Sequence, residues 1–228
     1  MKKVKVATVG LCALTMVGMG CSTKAGTGAL IGTGSGTAVG ALIGALAGNT
    51  AVGAAVGAAV GAGAGALIGK HMDKVAAETA AQVKNGKVEE VTDANGLKAV
   101  KVTFDNGILF PVGKYALQAA AKNELYKFSN VLKNNADLQV DIQGYASSDG
   151  SNEVNQVLSN NRANSVKAYL VNTCGVPSSQ IKSARGFGET NLITNADGTE
   201  NVKASRRVEV YLYASQAMID KANAGQLN

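Results

Sequence analysis

The sequence predicts an α+β fold: a two-layer βαβαββ domain in the C-terminal half, preceded by a transmembrane helical hairpin. Three observations carry this expectation. No charged residue occurs between Lys24 and Lys70, and glycines recur there at nearly every fourth position. From about residue 87 the apolar pattern changes to a period of two and then alternates with helical periods. Strands and helices alternating over roughly 120 residues suit one sheet with two helices packed on it.

The N-terminal segment comes first because it fixes the compartment. Residues 1–20 have three lysines followed by an apolar run and small residues, the layout of a secretory signal rather than a spanning helix. The Gly-Met-Gly-Cys ending at Cys21 resembles a bacterial lipoprotein box, with Gly18 where such boxes usually carry Leu. The resemblance implies that Cys21 is acylated, palmitate included, and that residues 21–25 form the lipid-bearing N-terminus of the mature chain. Ser22 and Thr23 resemble signals that send lipoproteins to the outer membrane. The alternative is an uncleaved apolar anchor. Cleavage removes Lys2, Lys3 and Lys5, taking the formal charge from +6 to +3. The basic charge is therefore largely a property of the signal, and no nucleic-acid partner follows from it. Cys12 leaves with the signal, so the remaining Cys21 and Cys174 form no internal disulfide.

Residues 26–69 read as the hairpin. Glycines stand at 28, 32, 36, 40, 44 and 48, then at 53, 57, 61, 65 and 69, with one slip at Asn49 and Thr50. A spacing of four lines one helix face with absent side chains, where another backbone approaches closely. Glycine costs a helix in water up to about 1 kcal/mol per residue, whereas lipid leaves the backbone almost no alternative to helix. Two helices of about 20 residues, each roughly 30 Å long, cross and recross a bilayer. The segment resembles the glycine zippers of bacterial envelope lipoproteins, and its glycine faces suit homo-oligomers. A flexible linker is the competing reading, but linkers seldom carry Ala, Val, Leu and Ile at fixed phase.

Residues 70–98 are expected to return to water as a linker helix and a first strand. Met72, Val75, Ala76, Thr79, Ala80 and Val83 mark the helix, and Asn85-Gly86 ends it. His71 is the only histidine, with no cysteine nearby, so it reads as a residue at the membrane interface rather than a metal ligand. No nucleophile-histidine pairing can be built around it, and no cofactor motif is present, which points away from an enzyme.

Residues 99–214 are expected to form the domain, with residues 215–228 as a tail. AVKVTF alternates as a strand. Leu117, Ala121, Leu125, Phe128 and Leu132 then follow at helical spacing. LQVDIQGY reads as a strand, residues 152–172 as a second helix, and IKSARGFG and RRVEVYLYA as two closing strands.

FDNGILFPVGKYAL, IQGYASSDGS, NQVLSNNRANSVKAYLV, ARGFGETN and ASRRVEV together resemble the OmpA-like peptidoglycan-binding domain in order and spacing. With the lipoprotein box and zipper, the whole chain resembles outer-membrane lipoproteins of that family, with a periplasmic C-terminal domain. The resemblance implies non-covalent binding of the diaminopimelate in the peptidoglycan stem peptide. A loop Asp takes the ligand ammonium and a helix Arg its carboxylate. Arg162 matches that arginine and Asn155 the helix asparagine. They lie two helical turns apart and so face the same way. A guanidinium fork makes two parallel bonds to a carboxylate, which Lys does not.

The acid does not match. Where the family reads Gly-His-Thr-Asp, this chain has Gly144, Tyr145, Ala146 and Ser147. Asp149 swinging in and Ser147 accepting one neutral hydrogen bond are the two substitutes within the loop. Of Arg206 and Arg207, the resemblance implies that one lies near the pocket. The candidate ligand-binding set is thus Arg162, Asn155, Ser147, Asp149, Ala146 and Arg206, with Cys21 as the lipidation site. For Arg162 the bland alternative is a structural ion pair with Glu153 or Asp149. The expected function is tethering the outer membrane to the wall. Its rival is an oligomeric zipper protein of the envelope with weak or no peptidoglycan binding.

Overall fold

A computed structural model describes residues 60, 61 and 63–227. The signal, Cys21 and most of the predicted hairpin lie outside the described residues.

The first helix, α1 (Ala64–Gln82), buries Ala64, Ile68, Met72, Val75, Ala76 and Thr79 along one face. Strands β1 (Gly86–Thr92) and β2 (Lys98–Asp105) form an antiparallel hairpin, with Val88 opposite Val102. Asp93 builds the turn: its Oδ1 accepts from Asn95 N and Leu97 N, both at 2.8 Å, and Gly96 adopts φ +77°. A short helix, α2 (Asn106–Leu109), leads to α3 (Ala119–Asn134), which buries Ala121, Leu125, Phe128 and Leu132 as the spacing predicts. Leu117 packs at the edge of the same core, just before the helix begins. The chain continues through β3 (Leu138–Gly144), α4 (Asn152–Ala168) with a π-helical turn at Tyr169–Thr173, and β4 (Ile181–Gly186). It closes with α5 (Val202–Ser205), β5 (Arg207–Ala214) and α6 (Gln216–Asn223).

The sheet order is β1-β2-β5-β3-β4. Only β3 and β4 run parallel, because α4 carries the chain from one to the other. The run β2-α3-β3-α4-β4-β5 is the expected βαβαββ order. Along β5 the alternation is plain: Val208, Val210, Leu212 and Ala214 join the core under the helices, while Tyr211 and Tyr213 join Val91 and Ala99 on the other face.

Three expected boundaries are corrected. Residues 64–69, assigned to the hairpin, are the first turns of α1, with Ile68 fully buried in the domain core. Apolar residues at helical spacing look alike whether lipid or a core receives them, so the sequence pattern does not mark the change. Among the described residues no helix is long and apolar enough to cross a membrane. His71 accordingly sits within this packed helix. The domain also begins before residue 99, since β1 pairs along β2 and α1 packs on both strands and on α3. Finally, the tail contains α6, capped by Ser215 Oγ accepting from Met218 N at 3.2 Å and burying Met218, Ile219 and Ala222.

Candidate functional site

The parallel pair β3 and β4 ends in two glycines where α4 crosses closest. A Cβ at Gly144 would collide with the Ser159 carbonyl, and one at Gly186 with the backbone nitrogen of Asn160. Their absence seats α4 directly over the strand ends, and the loops leaving both strands meet at its N-terminus. Phe187 N donates to Gly144 O at 2.8 Å and Ala146 N to Gly188 O at 2.7 Å. The rings of Tyr145 and Phe187 stack at 5.5 Å. Gly188, at φ +53°, turns the second loop and donates its N–H to Ser159 Oγ at 2.9 Å.

Ser151 caps α4, its Oγ accepting from Val154 N at 3.4 Å, and Glu153 in the first turn suits the positive end of the helix. The inward face of this polar helix carries Asn155, Ser159, Arg162, Ala163 and Val166. Asn155 and Arg162 therefore share the face that their spacing predicts. Asn155 Nδ2 lies 3.2 Å from Ser147 O, 2.9 Å from Asp149 O and 2.7 Å from Glu189 Oε1. This one amide ties the helix to both loops.

Arg162 is 2% exposed, the largest of the nearly fully buried side chains. Its Nε donates to Lys114 O at 3.1 Å, and its guanidinium lies 5.5 Å from the centre of the Phe110 ring. Burial and the neighbouring Arg206 charge push its pKa down to about 10, so it stays charged at neutral pH. A cavity of about 160 Å³ lies against Phe110 and Arg206, lined also by Asp105, Gly107, Val112 and Lys203. Such a place favours an anion.

Each residue of the candidate set has a definite position. Ser147 is buried, and its hydroxyl donates to Asp149 Oδ2 at 3.2 Å. Asp149 is an exposed carboxylate held at 3.3 Å by Arg206 Nη2. Ala146 is buried and serves through its backbone. Arg206 lies on the site. Arg207 points to the opposite sheet face, where it pairs with Glu209 at 2.7 Å and covers the Tyr145 ring at 4.0 Å. Arg206 caps the end of α5 and Arg207 begins β5, and the change of element separates them. Sequence reasoning missed two acids. Glu189 reaches the site from the loop after β4. Glu200 accepts from Ser148 N at 3.3 Å and from its hydroxyl, which holds the Glu200 carboxyl below its ordinary value. The available signal was the Gly-Phe-Gly-Glu run ending at Glu189.

Comparison with known proteins agrees with this geometry. Residues 109–207 match the OmpA family, and residues 31–76 match the glycine zipper family. The chain is 33% identical over 111 residues to the probable lipoprotein YiaD of Escherichia coli K12, covering 49% of this chain and 50% of that one. It is 36% identical over 109 residues to outer membrane protein A of Serratia marcescens, covering 46% and 30%. The matches thus span half or less of these relatives' length. A MotB-like protein from Desulfovibrio vulgaris shares the fold with TM-score 0.54 at 18% identity, over 66% of this chain and 99% of that one. Loop 145–149, α4 and Arg206 all fall within the stretch that matches the OmpA family.

Proposed function

We propose that this protein tethers the outer membrane to the cell wall, without catalysis, by non-covalent binding of the diaminopimelate-containing stem peptide of peptidoglycan. The observation that carries the reading is the buried Arg162 guanidinium, near enough to Arg206 for the two positive charges to repel. A carboxylate entering there relieves the repulsion of two like charges and forms charge-assisted hydrogen bonds in a desolvated place. Phe110 and the Lys114 carbonyl fix the guanidinium plane, so a planar carboxylate meets a prepared partner. Asn155, Ser147, Asp149 and Ala146 shape the adjoining wall. Acylated Cys21 and the zipper hold the other end in outer-membrane lipid, leaving the domain in the periplasm.

Titration of the protein with a stem tripeptide ending in meso-diaminopimelate tests this. Arg162→Lys keeps the charge but loses the fork, and the affinity falls by about 10-fold or more. Equal affinity of Arg162→Lys and wild type contradicts the reading. A second reading, an oligomeric zipper protein, draws on Gly65 and Gly69, where an added Cβ would meet nothing within 4 Å. Oligomers in detergent that persist with Gly65→Leu and Gly69→Leu would remove that support.

A further inference from the structure

Among the described residues the sheet has two edge strands, β1 and β4, and they differ. Along β4 the register jumps from Ile181 to Ser183, so Lys182 stands outside the ladder, an irregularity of the kind that keeps other strands from adding. Strand β1 carries no such device. It contains no proline, and its ladder with β2 runs unbroken from Gly86 to Thr92. A regular edge of this kind presents a row of backbone N–H and C=O groups to another strand.

The charges on β1 select which strand. In a two-fold antiparallel pairing the axis passes through one residue of each copy, and residues directly opposite share a face. An axis at Lys87 sets Lys against Lys. One at Glu89 or Glu90 sets Glu against Glu, one at Val91 sets Glu89 against Asp93, and one at Gly86 or Thr92 leaves most of the strand unpaired. An axis at Val88 sets Val88 against Val88 and Lys87 against Glu89 on both sides, with Gly86 leaving room for the opposing Glu90. Within one chain Lys87 already lies 2.7 Å from Glu89, and Lys101 lies 2.8 Å from the same carboxylate. Pairing at Val88 carries that alternation of sign across the axis.

We propose that β1 is a self-docking edge: two copies of this chain join antiparallel through Gly86–Glu90, with Val88 on the two-fold axis, and their five-stranded sheets become one. This is independent of the stem-peptide reading. The axis stands perpendicular to the joined sheet, so both helix layers lie on one face and neither copy is inverted. The interface is small, which suits chains that a shared lipid surface already holds close.

The test uses the full chain in detergent micelles, with Val88→Cys read as disulfide-linked dimer after mild oxidation. Residues opposite one another at the axis lie about 5 Å apart between Cα atoms, within disulfide reach, whereas the two copies of position 92 lie about 25 Å apart. Val88→Cys is expected to give at least about 10-fold more linked dimer than Thr92→Cys. Adding Lys87→Glu or Glu89→Lys to Val88→Cys is expected to cut the yield about 10-fold, because each sets like charges opposite one another twice. An equal mixture of those two double variants is expected to recover it, since each supplies the sign the other lacks, and recovery shows that both are folded. Linked dimer no more abundant for Val88→Cys than for Thr92→Cys overturns the proposal. So does a yield that Lys87→Glu leaves unchanged, which would mean that the zipper brings the copies together, and so does a mixture that stays as low as its parts.

Discussion

Arg206 and Arg207 are neighbours in sequence with different partners, Arg206 closing α5 and Arg207 opening β5. Arg207 sits with Glu209, two residues on and on the same face, in a buried pair, whereas Arg206 meets Asp149 at a partly exposed rim. That difference decides what Asp149 does. An exposed pair contributes about 0–1 kcal/mol to stability, so Asp149→Ala should leave the thermal midpoint within a few degrees of wild type. It should also raise affinity for the stem tripeptide, because it removes a negative charge that Arg206 now shares with the incoming carboxylate. Weaker binding by Asp149→Ala in the same titration would show instead that Asp149 substitutes for the missing loop acid.

At the scale of elements, the contact of α4 with β3 and β4 depends on backbone meeting backbone. Gly186→Ala forces a Cβ into the Asn160 backbone nitrogen and Cα as well as Ser159 Oγ, and the backbone atoms cannot rotate aside. The expected cost is about 3 kcal/mol or more, read as a lower denaturant midpoint. A second element contact titrates. Glu124 on α3 accepts from Lys84 N at 2.9 Å, closing the turn between α1 and β1. Burial pushes its carboxyl up, but the N–H groups of Lys84 and Asn85 with Lys127 outweigh that and hold its pKa below 4.5. A depressed native pKa contributes stability above the ordinary value and loses it as pH falls through the native one. Unfolding curves should therefore show Glu124→Gln less stable than wild type at pH 7, with the gap narrowing below about pH 4.5.

The elements also show what sequence could and could not convey. The α3 and α4 faces were legible because local period reports burial, and the seven-residue distance put Arg162 on the face of Asn155, while its ligand role came only from the family resemblance. Glu189 was not, because it meets Asn155 across 34 residues and only the crossing of α4 over two glycines brings them together. The membership of α1 in the domain was hidden for a different reason. Ile68, Met72 and Val75 fit a lipid-facing or a core-facing helix equally well, and only β2, α3 and α6 settle which. Helix α6 had a local signal in Ser215 followed by Met218, Ile219 and Ala222, a cap and an apolar face.

For the whole molecule, the glycine zipper match ends at residue 76, inside a helix whose first residues already lie in the domain core. Zipper and domain thus share α1, and a fragment that starts after it lacks the buried face of Ile68, Met72 and Val75. In the proposed tether, lipid holds one end of the chain and a buried guanidinium grips the wall at the other. The most direct test measures retention of the full chain by purified sacculi in detergent, comparing wild type with Arg162→Ala over a range of salt. Wild type is expected to sediment with the wall and Arg162→Ala to stay in solution at every salt concentration. Retention of Arg162→Ala equal to wild type, or wild type left in solution throughout, would contradict the tether.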